Sequence, residues 1–154
     1  MQIHTSDTFD PRVTALLDHH VTAARAQTAP GSAHALDLSG LRAPDIAFWT
    51  GWDGETLVAI GALKMLSPEH GEVKSIHTLQ TARRRGFGGQ MLSHIIATGR
   101  ARGMARLSLE TGSWDYFRPA VALYRAHGFV RCGPFEGYLE DPNSLFLTLD
   151  LNGG

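Results

Sequence analysis

Apolar residues recur with two different periods along the chain, and these periods divide it into predicted helices and strands. Asp10-Pro11 is a favourable helix start, because the aspartate can accept hydrogen bonds from free amide groups and proline is tolerated in the first turn. Apolar positions then follow at helical spacing, and the helix is predicted to end before Pro30. Its inward face comprises Val13, Leu16, Leu17, His20, Val21 and Ala24. Residues 31–44 show no clear period and are predicted to form a loop with room for a short helix.

Three strands are predicted in the middle of the chain. Residues 45–52 and 56–66 are rich in apolar and aromatic side chains, and Asp53-Gly54 between them is typical of a tight hairpin turn. These two strands are therefore expected to pair antiparallel. A second turn at residues 67–71 leads to a third strand at residues 72–79, where polar and apolar positions alternate.

The second half of the chain predicts two helices and three strands. One helix presents a single apolar face and ends near Gly103. Its apolar face consists of Met91, Leu92, Ile95 and Ile96. A strand at residues 106–111 follows, then a short helix opened by Pro119 and closed by Gly128, a strand that begins at Phe129, and a last strand at residues 144–151. The order helix, three strands, helix, strand, helix, two strands predicts an α/β fold with a mixed sheet and helices packed on its faces.

Composition narrows the class of protein. The chain has 154 residues, of which 43% are hydrophobic, and this is enough for a single domain over residues 1–154. A formal net charge of -1 gives no reason to expect a nucleic-acid partner. The single cysteine, Cys132, cannot form an internal disulfide, the first residues do not resemble a signal peptide, and no apolar run is long enough to span a bilayer. We therefore expect a soluble cytoplasmic protein with no membrane partner.

A basic, glycine-rich turn lies between the third strand and the helix that follows it. Its sequence is Arg83-Arg84-Arg85-Gly86-Phe87-Gly88-Gly89. The first amide groups of a helix lack partners within the helix, its dipole places about half a positive charge there, and glycines let the backbone approach an anion. The turn is therefore a candidate phosphate site, and a solvated basic surface is the alternative.

Two other phosphate-binding motifs do not fit these residues. The dinucleotide fingerprint requires a third glycine where this chain has Met91, and it requires an early parallel βαβ unit. A nucleotide-triphosphate P-loop requires Gly-Lys-Ser or Gly-Lys-Thr, and neither tripeptide occurs in the sequence.

The turn resembles the hallmark of the GCN5-related N-acetyltransferase (GNAT) family, Gln/Arg-x-x-Gly-x-Gly/Ala, at Arg83, Gly86 and Gly88. Leu123-Tyr124 followed by Gly128-Phe129 resembles a second motif of the family. The order of strands and helices also agrees from about residue 47 to residue 151. The resemblance, which is closest to small bacterial acetyltransferases, implies the acyl-CoA N-acyltransferase fold. In this fold a central, mostly antiparallel sheet has splayed strands and is flanked by helices.

The resemblance also implies acetyl-CoA as cosubstrate, with no metal. Backbone amides of residues 84–89 would bind the pyrophosphate, and residues 76–78 would pair with the pantetheine arm. The strands at 72–79 and 106–111 would splay apart around the thioester. At Phe117 many relatives carry an asparagine that bonds the pantetheine or sulfur region, which a phenylalanine cannot do. The implied cofactor-binding residues are Ile76, His77, Thr78, Arg83, Arg84, Arg85, Gly86, Phe87, Gly88, Gly89, Phe117 and Tyr124.

Three side chains are candidates for proton transfer. Tyr124 matches the family tyrosine near the sulfur, and its phenol could return a proton to the thiolate; packing beneath its helix is the alternative. Glu72 falls where some members place a general base, and it could instead be a solvated residue at a strand end. Glu110 could take the same role or hold a cationic substrate. Alternation places His77 on the opposite face from Glu72, so we expect a structural role for it, and a backbone N–H near Ile76 or His77 would meet the oxyanion.

The acceptor side is expected to involve residues 31–44, 114–117 and 135–143. Candidates for an aromatic pocket are Trp49, Trp52, Trp114, Tyr116, Phe135 and Tyr138. Glu136, Glu140 and Asp141 could attract an amine, or they could form a solvated loop.

The activity implied by the resemblance is direct transfer of an acetyl group from acetyl-CoA to a primary amine of a small molecule or peptide. Relatives are commonly dimers, so a homodimer is one state to test for. The alternative from another class is a module that binds acyl-CoA and has lost turnover, which the phenylalanine at position 117 keeps open. Nucleic-acid binding through Arg83-Arg84-Arg85 lacks an accompanying aromatic platform.

Overall fold

The computed structural model describes residues 1–5, 10–26, 43–79, 85–113 and 115–152. The strands within these ranges are β1 (Gln2–Thr5), β2 (Ile46–Asp53), β3 (Thr56–Ser67), β4 (His70–Thr78), β5 (Arg106–Gly112), β6 (Val130–Arg131) and β7 (Ser144–Asp150). The helices are α1 (Pro11–Ala26), α2 (Phe87–Ala101) and α3 (Arg118–Ala126), with a 3-10 turn at Asp115–Phe117. Most of the predicted loop at 31–44 lies outside the described residues, as do Arg83, Arg84 and Trp114.

The strands form one mixed sheet in the order β1-β2-β3-β4-β5-β7-β6. Every neighbouring pair is antiparallel except β4 and β5, which run parallel. The chain passes from β4 to β5 through the helix α2. Parallel neighbours need such a crossover connection, of a dozen or more residues. The predicted mixed sheet is confirmed, and β1 is a strand that the sequence pattern did not predict.

Helices cover both faces of the sheet. On one face, which we call the α1 face, Val13, Leu16 and Leu17 of α1 pack against Phe48 and Ile60. On the other, the α2 face, Met91 and Ile95 of α2 and Tyr124 of α3 pack against the opposite sides of the same strands. On both long helices, the residues of the predicted apolar face whose side chains are described are therefore buried.

An irregularity in β4 changes which side chains share a face. Ala62 of β3 lies opposite Lys74, whereas Ile60 lies opposite His77, so β4 contains one extra residue in this interval. Such a bulge interrupts the alternation of side chains along a strand. Because Lys64, two residues beyond Ala62, lies opposite Glu72, the side chains of Glu72, Lys74 and His77 all belong to the α1 face.

The prediction that His77 faces away from Glu72 is therefore wrong, since it assumed unbroken alternation over five residues. The His77 ring is 5.6 Å from the ring of His19 on α1. With 7% of its surface exposed, His77 is buried between sheet and helix.

The described helices include none that is both long enough and apolar enough to cross a lipid bilayer.

Candidate active site

The strands β4 and β5 pair only at one end and then diverge. Their register comprises His70 with Arg106, Gly71 with Leu107, and Glu72 with Ser108. Beyond that point β4 continues to Thr78 and β5 to Gly112 without pairing to each other. We call the gap between these two segments the fork. Within the described part of the chain, backbone groups that face the fork have no strand partner there, so an extended ligand could pair with them.

The helix α2 begins beside the open end of the fork. Gly86 precedes it with φ 84° and ψ 5°, a left-handed conformation that suits glycine. Among the described residues no side chain caps the helix, and its first turn carries no acidic residue. A Cβ atom on Gly88 would lie 3.2 Å from Oγ1 of Thr78, the last residue of β4. The uncapped amide groups of α2 and the end of β4 are therefore adjacent, and this donor set fits a diphosphate.

Arg85 is the one arginine of the basic turn within the described residues. Its Nη2 lies 2.9 Å from Oδ2 of Asp53 in the β2–β3 turn, and its guanidinium lies 4.8 Å from the centre of the Phe87 ring. The charge of Arg85 therefore stays beside the start of α2, held between the hairpin turn and a buried aromatic ring.

Tyr124 approaches the fork from the α2 face. The residue is 7% exposed, and its ring lies 5.9 Å from that of Phe129 in an edge-on contact. Burial, reinforced by the nearby charge of Glu110, raises the pKa of the Tyr124 phenol above its ordinary value. The phenol therefore keeps its proton at neutral pH, as a group that donates one must.

Glu110 approaches the fork from the α1 face. It pairs with Phe146 of β7, two residues beyond the end of the β4–β5 pairing. Burial is the main cause that raises the pKa of Glu110 to about 7, and the charges of Glu72 and Asp141 act in the same direction against that of Lys74. A carboxyl group with this pKa can exchange a proton near neutral pH.

Glu72 is held in a closed group of polar side chains. Its Oε2 accepts a hydrogen bond from the Tyr138 hydroxyl at 2.6 Å and another from Lys74 Nζ at 3.0 Å. Lys74 Nζ also donates to the Tyr138 oxygen at 3.0 Å. The side chains of Glu72 and Lys74 are 4% and 10% exposed, so their charges offset each other away from solvent. Lys74 could not be selected from the sequence, because its partner Tyr138 lies 64 residues further along the chain.

The four aromatic candidates whose side chains are described do not meet in one pocket. Phe135 and Tyr138 meet at 5.2 Å between ring centres, and both contact Phe146. Trp49 packs against His94 in the core of the α2 face, and Trp52 lies under the guanidinium of Arg12. Trp114 and the side chain of Tyr116 lie outside the described residues.

Phe117 lies over the end of β5. A Cβ atom on Gly112 would overlap the Phe117 ring, so the ring rests directly on the backbone of that glycine. The ring therefore fills space at the open end of the fork without offering a hydrogen bond.

A family model described as the Acetyltransferase (GNAT) family matches residues 13–129. The chain belongs to this family and is an acetyltransferase enzyme. It is 45% identical over 151 residues to the uncharacterized N-acetyltransferase YsnE of Bacillus subtilis (strain 168), which covers 98% of this chain and 100% of that protein. It is also 45% identical over 149 residues to the uncharacterized N-acetyltransferase YedL of Escherichia coli (strain K12), which covers 97% and 94% of the two chains.

The fold is shared with a GNAT family acetyltransferase from Elizabethkingia anophelis whose crystal structure has acetyl-CoA bound. The TM-score is 0.70 at 18% identity, and 97% of each chain is covered. The predicted GNAT fold is therefore confirmed.

Proposed function

We propose that this enzyme transfers the acetyl group of acetyl-CoA to a primary amine of a small molecule or peptide, by direct attack in a ternary complex. The observation that carries the proposal is the fork, with a buried phenol on one side and a carboxyl group of pKa about 7 on the other. These are the acid and the base that amine acetylation requires.

Acetyl-CoA would supply a thioester as acyl donor. The start of α2, over residues Gly86–Gly89, would hold its diphosphate through backbone amide groups, with Arg85 beside them. The fork edge of β4, over Ile76–Thr78, would pair with the pantetheine arm. This placement is supported by the left-handed Gly86, the uncapped helix and the contact between Gly88 and Thr78.

The residues at the fork divide the proton transfers between them. Glu110 takes a proton from the acceptor ammonium group, and the neutral amine attacks the acetyl carbonyl carbon. As the carbon–sulfur bond breaks, Tyr124 donates its phenolic proton to the leaving sulfur. The attacking nitrogen loses its second proton to solvent as the tetrahedral intermediate collapses, which leaves the neutral amide. Solvent then returns a proton to the Tyr124 phenolate and takes the proton from Glu110, so the products are the amide, free coenzyme A and one proton.

Glu110 is a better candidate for the base than Glu72. Both lie on the α1 face close to the fork. However, Oε2 of Glu72 already accepts hydrogen bonds from Lys74 and Tyr138, so this oxygen is occupied and does not face an acceptor amine. Glu72 is therefore assigned to holding Lys74 and Tyr138 in place.

A comparison of Glu110→Gln with Glu72→Gln tests this division of roles. Thiol release from acetyl-CoA is measured against a panel of primary amines, with the acetylated product identified by mass spectrometry. We expect Glu110→Gln to reduce kcat by about 100-fold or more without changing acetyl-CoA affinity. Binding of acetyl-CoA by the wild type with no turnover on any amine would instead favour the acyl-CoA sensor.

A further inference from the structure

Ser144, the first residue of β7, has a buried hydroxyl group without a hydrogen-bond partner among the described residues. The residue is 4% exposed. Buried hydroxyl groups are normally hydrogen-bonded, because water cannot reach them to replace a missing partner. An unpartnered one therefore suggests a second state in which the partner is present.

Glu110 is the ionisable neighbour of this hydroxyl group. Ser144 pairs with Gly112 and Glu110 pairs with Phe146, so Ser144 and Glu110 are diagonal neighbours on the α1 face of adjacent strands. Side chains at diagonal positions are within reach of each other. Gly112, opposite Ser144, has no side chain of its own, and the Phe117 ring rests on its backbone. The Ser144 hydroxyl is also near enough to stabilise the charged form of Glu110, in opposition to burial.

The backbone around Ser144 is fixed. Its N–H donates to the Asp141 carbonyl oxygen at 3.0 Å. Ser113, just after β5, donates through its N–H to Asn143 O at 3.0 Å and through Oγ to Pro142 O at 2.8 Å. The turn that leads into β7 is therefore tied to the end of β5, and rotation of the hydroxyl is the movement that remains for Ser144.

We infer that Ser144 is a positioning residue for Glu110: its hydroxyl group donates a hydrogen bond to the Glu110 carboxylate when that group is ionised. The inference rests on the proposed role of Glu110 as the base. In the ionised state the bond holds the carboxylate in one position on the α1 face, on the β7 side of β5, and favours its charged form. Without the hydroxyl, Glu110 would hold its proton to higher pH and would be a less available base at neutral pH.

Other charged and titratable groups also act on Glu110 and must remain unchanged in the test. From β4 these are Glu72 and Lys74, and from the turn before β7 they are Asp141 and Tyr138. Tyr124 of α3, on the α2 face, also interacts electrostatically with Glu110. A substitution at Ser144 alters none of these charges, so a change in the titration of Glu110 would report the hydroxyl itself.

The direct measurement is a carbon-13 NMR titration of the glutamate side-chain carboxyl groups, with Glu110→Gln used to assign the Glu110 signal. We expect Ser144→Ala to raise the Glu110 midpoint by about one pH unit. Ser144→Thr, which keeps a hydroxyl group, should stay near the wild type. An unchanged midpoint in Ser144→Ala would overturn the inference. This readout needs no acceptor, so it remains decisive if the wild type fails to acetylate any amine and the proposed function falls.

Ser108→Ala is the matched control. Ser108 is also buried on the α1 face, but its Oγ lies 2.7 Å from His70 Nε2 and 3.0 Å from Thr148 Oγ1. Its loss should lower the melting temperature and leave the Glu110 midpoint unchanged, whereas Ser144→Ala should keep the melting temperature. For an acetylated amine, the acid limb of kcat/KM should move upward in Ser144→Ala together with the midpoint. A limb that stays in place while the midpoint moves would contradict the positioning of a base.

Discussion

Tyr124 is a residue whose proposed role as an acid can be tested by removal of a single atom. Enclosed by the core of the α2 face and close to the charge of Glu110, its phenol is held in the protonated form. Removal of the hydroxyl in Tyr124→Phe leaves the ring contact with Phe129 in place, so the fold should be retained. We expect kcat to fall by about 100-fold while acetyl-CoA affinity, measured by calorimetry, stays the same. A fully active variant would remove Tyr124 from the mechanism.

Ionisation of Glu110 should favour activity and lower the stability of the fold. Its pKa in the folded protein is about 7, above its ordinary value of 4.5, so the folded state binds this proton more tightly than the unfolded state does. Its contribution to stability is therefore complete below pH 4.5 and is lost as pH rises through 7. Glutamine cannot ionise. At pH 8 we expect Glu110→Gln to unfold at a higher urea concentration than the wild type, with a free energy of unfolding that is higher by up to about 2 to 3 kcal/mol. At pH 4 the two proteins should unfold at a similar urea concentration. A variant that is less stable at pH 8 would contradict the assigned burial.

The sequence predicted Glu72, Glu110 and Tyr124 as candidates for proton transfer but left open which of the two carboxyl groups would be the base. Their difference arises from partners that are distant along the chain. Lys74 and Tyr138 donate hydrogen bonds to Glu72. Glu110 instead lies beside Ser144, whose hydroxyl group has no hydrogen-bond partner among the described residues. Such pairings depend on which strands become neighbours, and a single sequence does not specify them.

At the scale of the element, the start of α2 can be tested without damage to its packing. A Cβ atom on Gly89 would meet His127 at 3.6 Å and Leu123 at 3.7 Å, which are ordinary contact distances. The negative charge of a glutamate in the first turn should interact favourably with the helix dipole but repel a bound diphosphate. We therefore expect Gly89→Glu to weaken coenzyme A binding at least about tenfold relative to Gly89→Gln, with equal or higher melting temperature. Equal affinities of the two variants would place the diphosphate elsewhere.

Elements with a strong periodic pattern were predicted from the sequence. A strand with no clear alternation and a bulge that interrupts the alternation of another strand were missed. The hairpin at Asp53-Gly54, the helix after the glycine turn and the strand after it are all present. The strand β1 contains a single apolar residue among four, so it carried no alternation to detect. The bulge in β4 is set by its register with β3, and its omission put His77 on the wrong face.

At the scale of the whole molecule, coenzyme A should stabilise the fold, because the proposed site draws on β4, α2 and α3 together. A ligand at 100 times its Kd adds about 2.7 kcal/mol to the free energy of unfolding. For a chain of this length the melting temperature should rise by roughly 5 to 10 °C. Thermal unfolding with increasing coenzyme A checks this, and Gly89→Glu should show a smaller rise at the same concentrations. An unaltered melting temperature for the wild type at saturating coenzyme A would argue against the site.

The described pairing of β4 with β5 comprises three residue pairs, which we call the seam. The seam joins two halves of the sheet, one that consists of β1 to β4 and one that consists of β5, β7 and β6. Strands β2, β3 and β4 follow one another through tight turns and need only local contacts to assemble, whereas the seam requires the whole of α2 to cross between its strands. Local structure tends to form early in folding and non-local pairing late. A Cβ atom on Gly71, within the seam, would lie 2.9 Å from side-chain atoms of Leu63 and Met104. Gly71→Ala should therefore speed unfolding in a stopped-flow experiment far more than it slows refolding. The seam, which borders the proposed ligand site in the fork, would then be the part of the sheet that assembles last.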